Sequence, residues 1–336
     1  MPDKTFEYVV WLLRLALNPA EASTGTAILT AAEWQSVYRL LVKHAVVAVA
    51  WDGVERLQSK TPEQVRNMPP DLMGRWFAAV QTIEAANRRM AQQAAALQER
   101  LHNAGFVASV LKGTALAQYY PKHEHRQSAD IDLWVLPQKV QRLQIHRKAL
   151  IAYLQQQPDI TIGEIVYHHI ETTFGDTEVE MHVTPTWLYN PLHNNRLQQL
   201  FANEKQLTPD LLELYTLLHA FRHIWHDGLA LRHLTDYYLV CRRNRQSAIP
   251  APHNLYGQLG LTTFAHAVDE LTALLFSDQP ALRNANHLSP RAQHILQDLP
   301  VRQVSTVVRR DYPHENLFSL PWRVTHYLWR RANHYL

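Results

Sequence analysis

Sulfur chemistry is nearly absent from this chain: Cys241 is the single cysteine in 336 residues. No internal disulfide can form, which fits a reducing compartment with the cytoplasm as the expected location. Cys241 also lacks an obvious neighbouring base, so a catalytic thiol is not expected. Glycine is scarce, at ten residues. Neither Gly-x-Gly-x-x-Gly nor Gly-x-x-x-x-Gly-Lys-Ser/Thr occurs, which disfavours dinucleotide-binding and Walker-type readings. The Gly-x-Ser-x-Gly elbow of serine hydrolases is missing too. No uninterrupted apolar run reaches the roughly 18 residues of a membrane span. The segment MPDKTFEYVVWLLRLALNPA carries Asp3, Glu7 and Arg14, so it reads as an amphipathic helix rather than a signal peptide. A formal net charge of +3 is too small to argue for nucleic acid once salt screens it.

What is present is an ordinary globular balance of apolar and charged residues without a disordered tract. From Phe6 to about Leu101 apolar residues recur at helical spacing, as in Trp34, Val37, Leu40 and Leu41. Pro69-Pro70 punctuates this region, and Asp71 is placed to cap a long helix ending near Gly105. The pattern then changes. FVASVLKG, ADIDLWVL, IVYHHIETTF and TEVEMHV read as strands, with Gly175-Asp176 as a hairpin turn. Helical signals around ALAQYY and from about Pro137 to Gln157 lie between them. After Pro185 the chain is helical again, broken at Gly228 and looped at Pro250 and Pro252. The predicted class is α+β: a small mixed sheet unit over 102–186, flanked by helical regions at 1–101 and 187–336.

Strand alternation puts Asp130 and Asp132 on one face and Ile131, Leu133 and Val135 on the other. An Asp-x-Asp alone is usually just a polar strand face. A second strand of the same parity, with Glu178, Glu180 and His182 on one side, makes a third carboxylate available. Like charges gathered this closely call for a cation, and oxygen-rich sites suit Mg²⁺. Upstream, Val110-Leu-Lys-Gly-Thr114 runs from an apolar strand into a glycine turn and a helix start. Gly113 lets a backbone approach an anion there, and Lys112 adds positive charge.

Together LKGTALAQYYP, Arg126, SADIDLWV and VEMHV resemble the nucleotidyltransferase superfamily, specifically its uncharacterised bacterial family 5 branch. The resemblance covers most of the chain and extends to a His-rich helix pair in LLHAFRHIWHDGLALRHLTDYYL. The phosphate turn is Lys112-Gly113-Thr114 where the superfamily usually has Gly-Gly or Gly-Ser. The resemblance implies a nucleotidyltransferase core over 102–186, with Asp130, Asp132 and Glu180 both catalytic and ligating Mg²⁺ or Mn²⁺. It implies nucleotide phosphate contacts from Lys112, Gly113, Thr114, Arg126 and Ser128, and candidate substrate contacts from His182, His219, His223 and Asp236. The reaction would move a nucleoside monophosphate from a triphosphate such as ATP to a hydroxyl of a small molecule, sugar, RNA end or protein.

Several readings stay open from the residues alone. Glu180 is either a metal ligand or a general base. Arg126 suits fork-like contact with phosphate, while Arg126 and Lys112 equally read as solvated charges. His219, His223 and His226, with Asp227 or Asp236, have a spacing able to hold Zn²⁺. In a chain with 20 histidines, core or substrate-contacting roles fit them better. The terminus VVRRDYPHENLFSLPWRVTHYLWRRANHYL reads as a docked basic helix able to stack on nucleobases. A non-catalytic nucleotide-binding protein that keeps the fold, and a toxin-type RNA or tRNA nucleotidyltransferase, are the competing functions.

Overall fold

The computed structural model describes residues 4–22, 27–139, 143–202, 204–226 and 228–301. The basic aromatic terminus and Asp227 lie outside the described residues, as does the side chain of His226. Four helices open the chain: α1 (Lys4–Leu17), α2 (Ala31–Lys43), α3 (Val47–Lys60) and α4 (Pro70–Asn103). The middle comprises β1 (Phe106–Val110), α5 (Thr114–Ala117), β2 (Ile131–Pro137), α6 (Leu143–Leu154), β3 (Ile160–Ile165), β4 (His169–Phe174) and β5 (Thr177–His182). Then come α7 (Pro191–Ala202), α8 (Pro209–His226), α9 (Leu231–Gln246), α10 (His253–Gln258), α11 (Thr262–Phe276) and α12 (Pro290–Asp298). This mixed α and β architecture is the expected class.

Local chemistry explains the boundaries. Thr30 and Glu33 cap the start of α2 reciprocally, satisfying two backbone donors. Pro70 opens α4, where its missing N–H costs nothing. Asp71 does not cap α4 as expected. It lies within the first turn, where its charge suits the helix dipole and pairs with Arg75 at 3.3 Å. Gly105, at φ +87°, lets the chain leave α4 and enter the sheet.

Helix α1 differs from the amphipathic expectation. Phe6, Tyr8 through Leu13, Leu15 and Leu17 are all buried, so apolar neighbours enclose it on nearly every side. It crosses α3 at Gly53, where the backbones approach so closely that an added Cβ would collide with the Leu12 carbonyl. The first and last helical regions share one apolar cluster, from Trp34 and Trp76 to Tyr237 and Phe264. The latter half of α4 joins a second cluster beneath the sheet, with Met90, Leu97, Ile131, Leu133 and Met181. Among the described residues no helix is long and apolar enough to cross a membrane.

The sheet has five strands in the order β1-β2-β5-β4-β3. Pairing is antiparallel except between β2 and β5, which run parallel with Asp132 opposite Glu180 and Trp134 opposite His182. The Gly175-Asp176 hairpin turn forms as expected, with Gly175 at φ +64°. The segment IVYHHIETTF is not one strand. β3 occupies ITIGEI and stops at Ile165, the chain turns, and β4 begins at His169. Gly163 and Glu164 break the alternation of ITIGEI, and the pairing register shifts between Ile162 and Ile165. Among the strands, only this register-shifted edge escapes the sequence pattern.

Gly53→Ala should lower stability by about 2 kcal/mol despite the better helix propensity of alanine, because α1 must move as a unit to admit one methyl. A denaturant midpoint equal to wild type would contradict this reading of the α1–α3 crossing.

Candidate functional site

The carboxylate face lies on β2 and β5, whose parallel register places Asp132 directly across from Glu180. Asp130 precedes β2 in sequence and is partly exposed, whereas Asp132 is 1% exposed. This corrects the view of both aspartates on an open strand face. Further along the same face Trp134 packs edge-on against Phe201 of α7, while Ile131 and Leu133 on the opposite face join the second apolar cluster.

A buried carboxylate needs positive charge beside it, and two groups supply it. Lys112 Nζ sits 2.8 Å from Asp132 Oδ1 and 3.7 Å from Asp130 Oδ2. His182 Nε2 lies 3.0 Å from both Asp132 Oδ1 and Glu180 Oε2. Burial alone would raise the Asp132 pKa, but Lys112 and His182 bring it below the usual carboxylate value. Burial opposes ionisation of Glu180 too, yet the His182 hydrogen bond, with charge from His182 and Lys112, holds it down at about 2. His182 moves the other way: burial lowers it, and the two carboxylates carry it above the ordinary histidine value. Asp132 Oδ2 is buried and meets no hydrogen-bond donor among the described residues. Ligand atoms of Asp132, Glu180 and His182 all lie within 4.8 Å of one another.

Two expected phosphate ligands are engaged by protein carboxylates. Lys112 faces the aspartates as just described. The Arg126 fork is taken by Asp236 of α9, with Nε–Oδ1 and Nη2–Oδ2 each at 2.8 Å. This buried bidentate pair corrects the picture of Arg126 as a solvated charge, while Arg126 still lines the cavity that holds Gly113 and Ser128. The remaining nitrogen, Nη1, donates to Ser128 Oγ at 3.0 Å, and Tyr120 donates to Asp236 Oδ1 at 2.7 Å. Asp236, expected as a substrate contact, is 2% exposed and anchors the loop before β2. Gly113 adopts φ +55°, and a Cβ added there would lie 3.7 Å from Ser128 Oγ, so the glycine turn and Ser128 adjoin.

His219 and His223 of α8 gather with His233 of α9, ring centroids 4.1–5.1 Å apart. His233 has a prior commitment, since its Nδ1 accepts the Ala230 N–H at 3.2 Å at the start of α9. The proton of the neutral ring therefore sits on Nε2, leaving no lone pair for a metal. His44 Nδ1 similarly accepts the next N–H, that of Leu231, at 3.1 Å. Imidazoles cap this helix, a role that residue spacing did not reveal.

Asp130 lines two cavities. One, of about 260 Å³, reaches Gly113, Thr114 and Ser128. The other, of about 450 Å³, lies between the carboxylate face and α8–α9. Lys112, Glu180 and His182 line the second cavity, together with His219 and His223. His168, Arg222 and Arg232 also line it and were not singled out from sequence. The adjacent histidines before β4 and the Arg232/Asp236 spacing on α9 were the available signals.

A family model described as an uncharacterised nucleotidyltransferase matches residues 30–277. The chain belongs to this family. No curated protein and no solved structure matches it. The matched span of this nucleotidyltransferase family member contains the sheet, the glycine turn, and both Arg126 and Asp236.

Asp236→Ala should cost roughly 3–5 kcal/mol, because it strands a buried guanidinium. A paired Arg126→Met, Asp236→Leu variant should recover much of that in chemical denaturation. Equal losses in the single and double variants would contradict the assigned charge burial.

His125, next to Arg126, bridges Asp52 at 3.0 Å and Glu84 at 2.9 Å through its two ring nitrogens. Burial favours its neutral form, but the bonds to Asp52 and Glu84 bring its pKa above the ordinary value. Its contribution is complete below the unfolded histidine pKa and disappears as pH rises through the folded one. The melting temperature of wild type should therefore fall more steeply between about pH 6 and 9 than that of His125→Gln. Parallel curves would remove this bridge from the stability account.

Proposed function

We propose that the chain moves a nucleoside monophosphate from a nucleoside triphosphate to an acceptor hydroxyl, with Asp130, Asp132 and Glu180 as ligands of a divalent cation. The observation that carries this reading is the cross-strand pair Asp132–Glu180, in which Asp132 is buried with one carboxylate oxygen lacking a donor and Glu180 is half-buried opposite it. Family membership supports it independently.

The donor set fits the ion. Carboxylate oxygens from β2 and β5 converge within 4.8 Å, beside a histidine on the same face, and hard oxygen donors match Mg²⁺ or Mn²⁺. Bound there, the ion would supply Lewis acidity to phosphoryl and attacking oxygens. Glu180 acts as a ligand rather than a base on this reading, since a carboxyl held at about 2 accepts protons poorly.

The residues of the chain supply orientation. Gly113 and Ser128 shape the turn beside Asp130, and Asp236 locks Arg126 so that this loop keeps its path. His182 joins Asp132 to Glu180 and fixes their spacing. Lys112 serves as their counter-cation, and its donors would be free to turn to a triphosphate if another cation held the aspartates. In the reaction, the acceptor oxygen bonds to the α-phosphorus and the bond to the bridging oxygen breaks. Pyrophosphate departs, and the hydroxyl proton is released to water.

One observation favours a second reading, a nucleotide-binding protein without turnover: Lys112 already neutralises the aspartate pair. Calorimetric titration with ATP and GTP separates the two. Binding that requires Mg²⁺ supports the transferase, whereas equal binding in chelator supports the receptor.

Asp130→Asn should reduce transfer of label from radioactive triphosphates to cell-extract acceptors by roughly 100-fold or more, with stability within about 0.5 kcal/mol of wild type. Asp132→Asn should lose transfer and also roughly 3 kcal/mol of stability, because it leaves Lys112 and His182 under-compensated. Full activity in both variants, or in excess EDTA, would exclude this chemistry.

A further inference from the structure

The two cavities that meet at Asp130 differ in lining. The smaller is walled by Met90, Ala94, Val110 and Ala117, with the glycine turn at one edge. The larger is faced by Glu180 on the sheet side and by cations on the helical side. If the triphosphate lies along the glycine turn, the attacking hydroxyl must approach Asp130 from the larger cavity.

Arg232 is the informative residue in that cavity. Its Nη1 donates to the Gln127 carbonyl at 2.9 Å, while its buried Nε meets no acceptor. Among the described residues no carboxylate oxygen lies within 4.0 Å of it. Of the carboxylates that act on it from beyond that distance, Asp236 is consumed by Arg126 and Tyr120, and Asp130 faces it across the cavity. Burial and the neighbouring Arg126 charge both lower the Arg232 pKa, as for a cation whose counter-charge is incomplete. Arg222 extends the same wall, its guanidinium 4.4 Å from the Trp187 ring centroid. The planar fork of Arg232, with its Nε open, suits phosphate oxygens.

We propose that the larger cavity is the acceptor site and that its acceptor is a small molecule bearing a phosphate group, docked on Arg232 and Arg222. This rests on the transferase reading. The cavity volume, about 450 Å³, falls in the range of small-molecule sites. The reacting hydroxyl would lie toward Asp130 and Glu180, and the phosphate toward α8–α9.

The test titrates ribose 5-phosphate, ribose and inorganic phosphate into the full chain at constant ionic strength, followed by calorimetry. Ribose 5-phosphate should bind on the order of 100-fold more tightly than ribose, because the phosphate supplies a charge-assisted contact. Arg232→Gln should weaken it roughly tenfold, and Arg232→Lys less, while Mg²⁺-dependent ATP binding stays within about twofold, since the fork rather than the metal site is changed. Arg222→Gln provides a second, independently folded check. A saturating non-hydrolysable ATP analogue with Mg²⁺ should leave ribose 5-phosphate bound. Equal affinity for ribose and its phosphate, insensitivity to both arginine variants, or displacement by the analogue would overturn the proposal. Displacement would assign these cations to the triphosphate tail. Failure of the transferase reading looks different: ATP binding would lose its metal dependence while ribose 5-phosphate still required Arg232, which would keep an anion site and remove its acceptor role.

Discussion

Carboxylates facing one another across a parallel strand pair cannot remain charged and buried without positive charge at hydrogen-bonding distance. Asp132 imposes that condition, with the half-buried Glu180 opposite it, and much of the middle of the fold answers it. The turn after β1 delivers Lys112, and the end of β5 delivers His182, whose proton is shared by the two acids. Removing either group leaves a charge imbalance inside the protein, so the site and the stability of the sheet are coupled.

The helical layer is held to that same region through a second buried charge pair. Arg126 and Asp236 are 110 residues apart, yet their bidentate contact joins the loop entering β2 to α9. The start of α9 is itself fastened by His44 from the first helical region and by His233. Parts of the chain remote in sequence therefore determine where the cavity wall stands relative to the carboxylates.

The acidic constellation was readable because strand parity is a local property. Alternation in SADIDLWV and TEVEMHV puts Asp132 and Glu180 on definable faces, and parallel pairing brings those faces together. The helix break at Gly228 and the turn at Gly175 were readable for similarly local reasons. Burial of Asp132 was not, since alternation says which residues share a face but not whether another layer covers it. The occupied fork of Arg126 depended on a distant partner. The capping role of His233 was not legible because an imidazole cap lacks the familiar Ser, Thr, Asp or Asn signature. β3 was missed where Gly163 and a register shift disturb a short edge strand.

The Arg126–Asp236 contact also limits how the cleft can work. Swinging α9 away from the sheet would separate the two partners of an ion pair that are 3% and 2% exposed. Such a movement meets a steep electrostatic barrier that side-chain rearrangement avoids. A ligand reaching the carboxylates would therefore pass lining side chains such as Lys112 and Arg222 rather than depend on separation of the layers. On the transferase reading, turnover would be a matter of local gating by side chains, with the layers keeping their spacing.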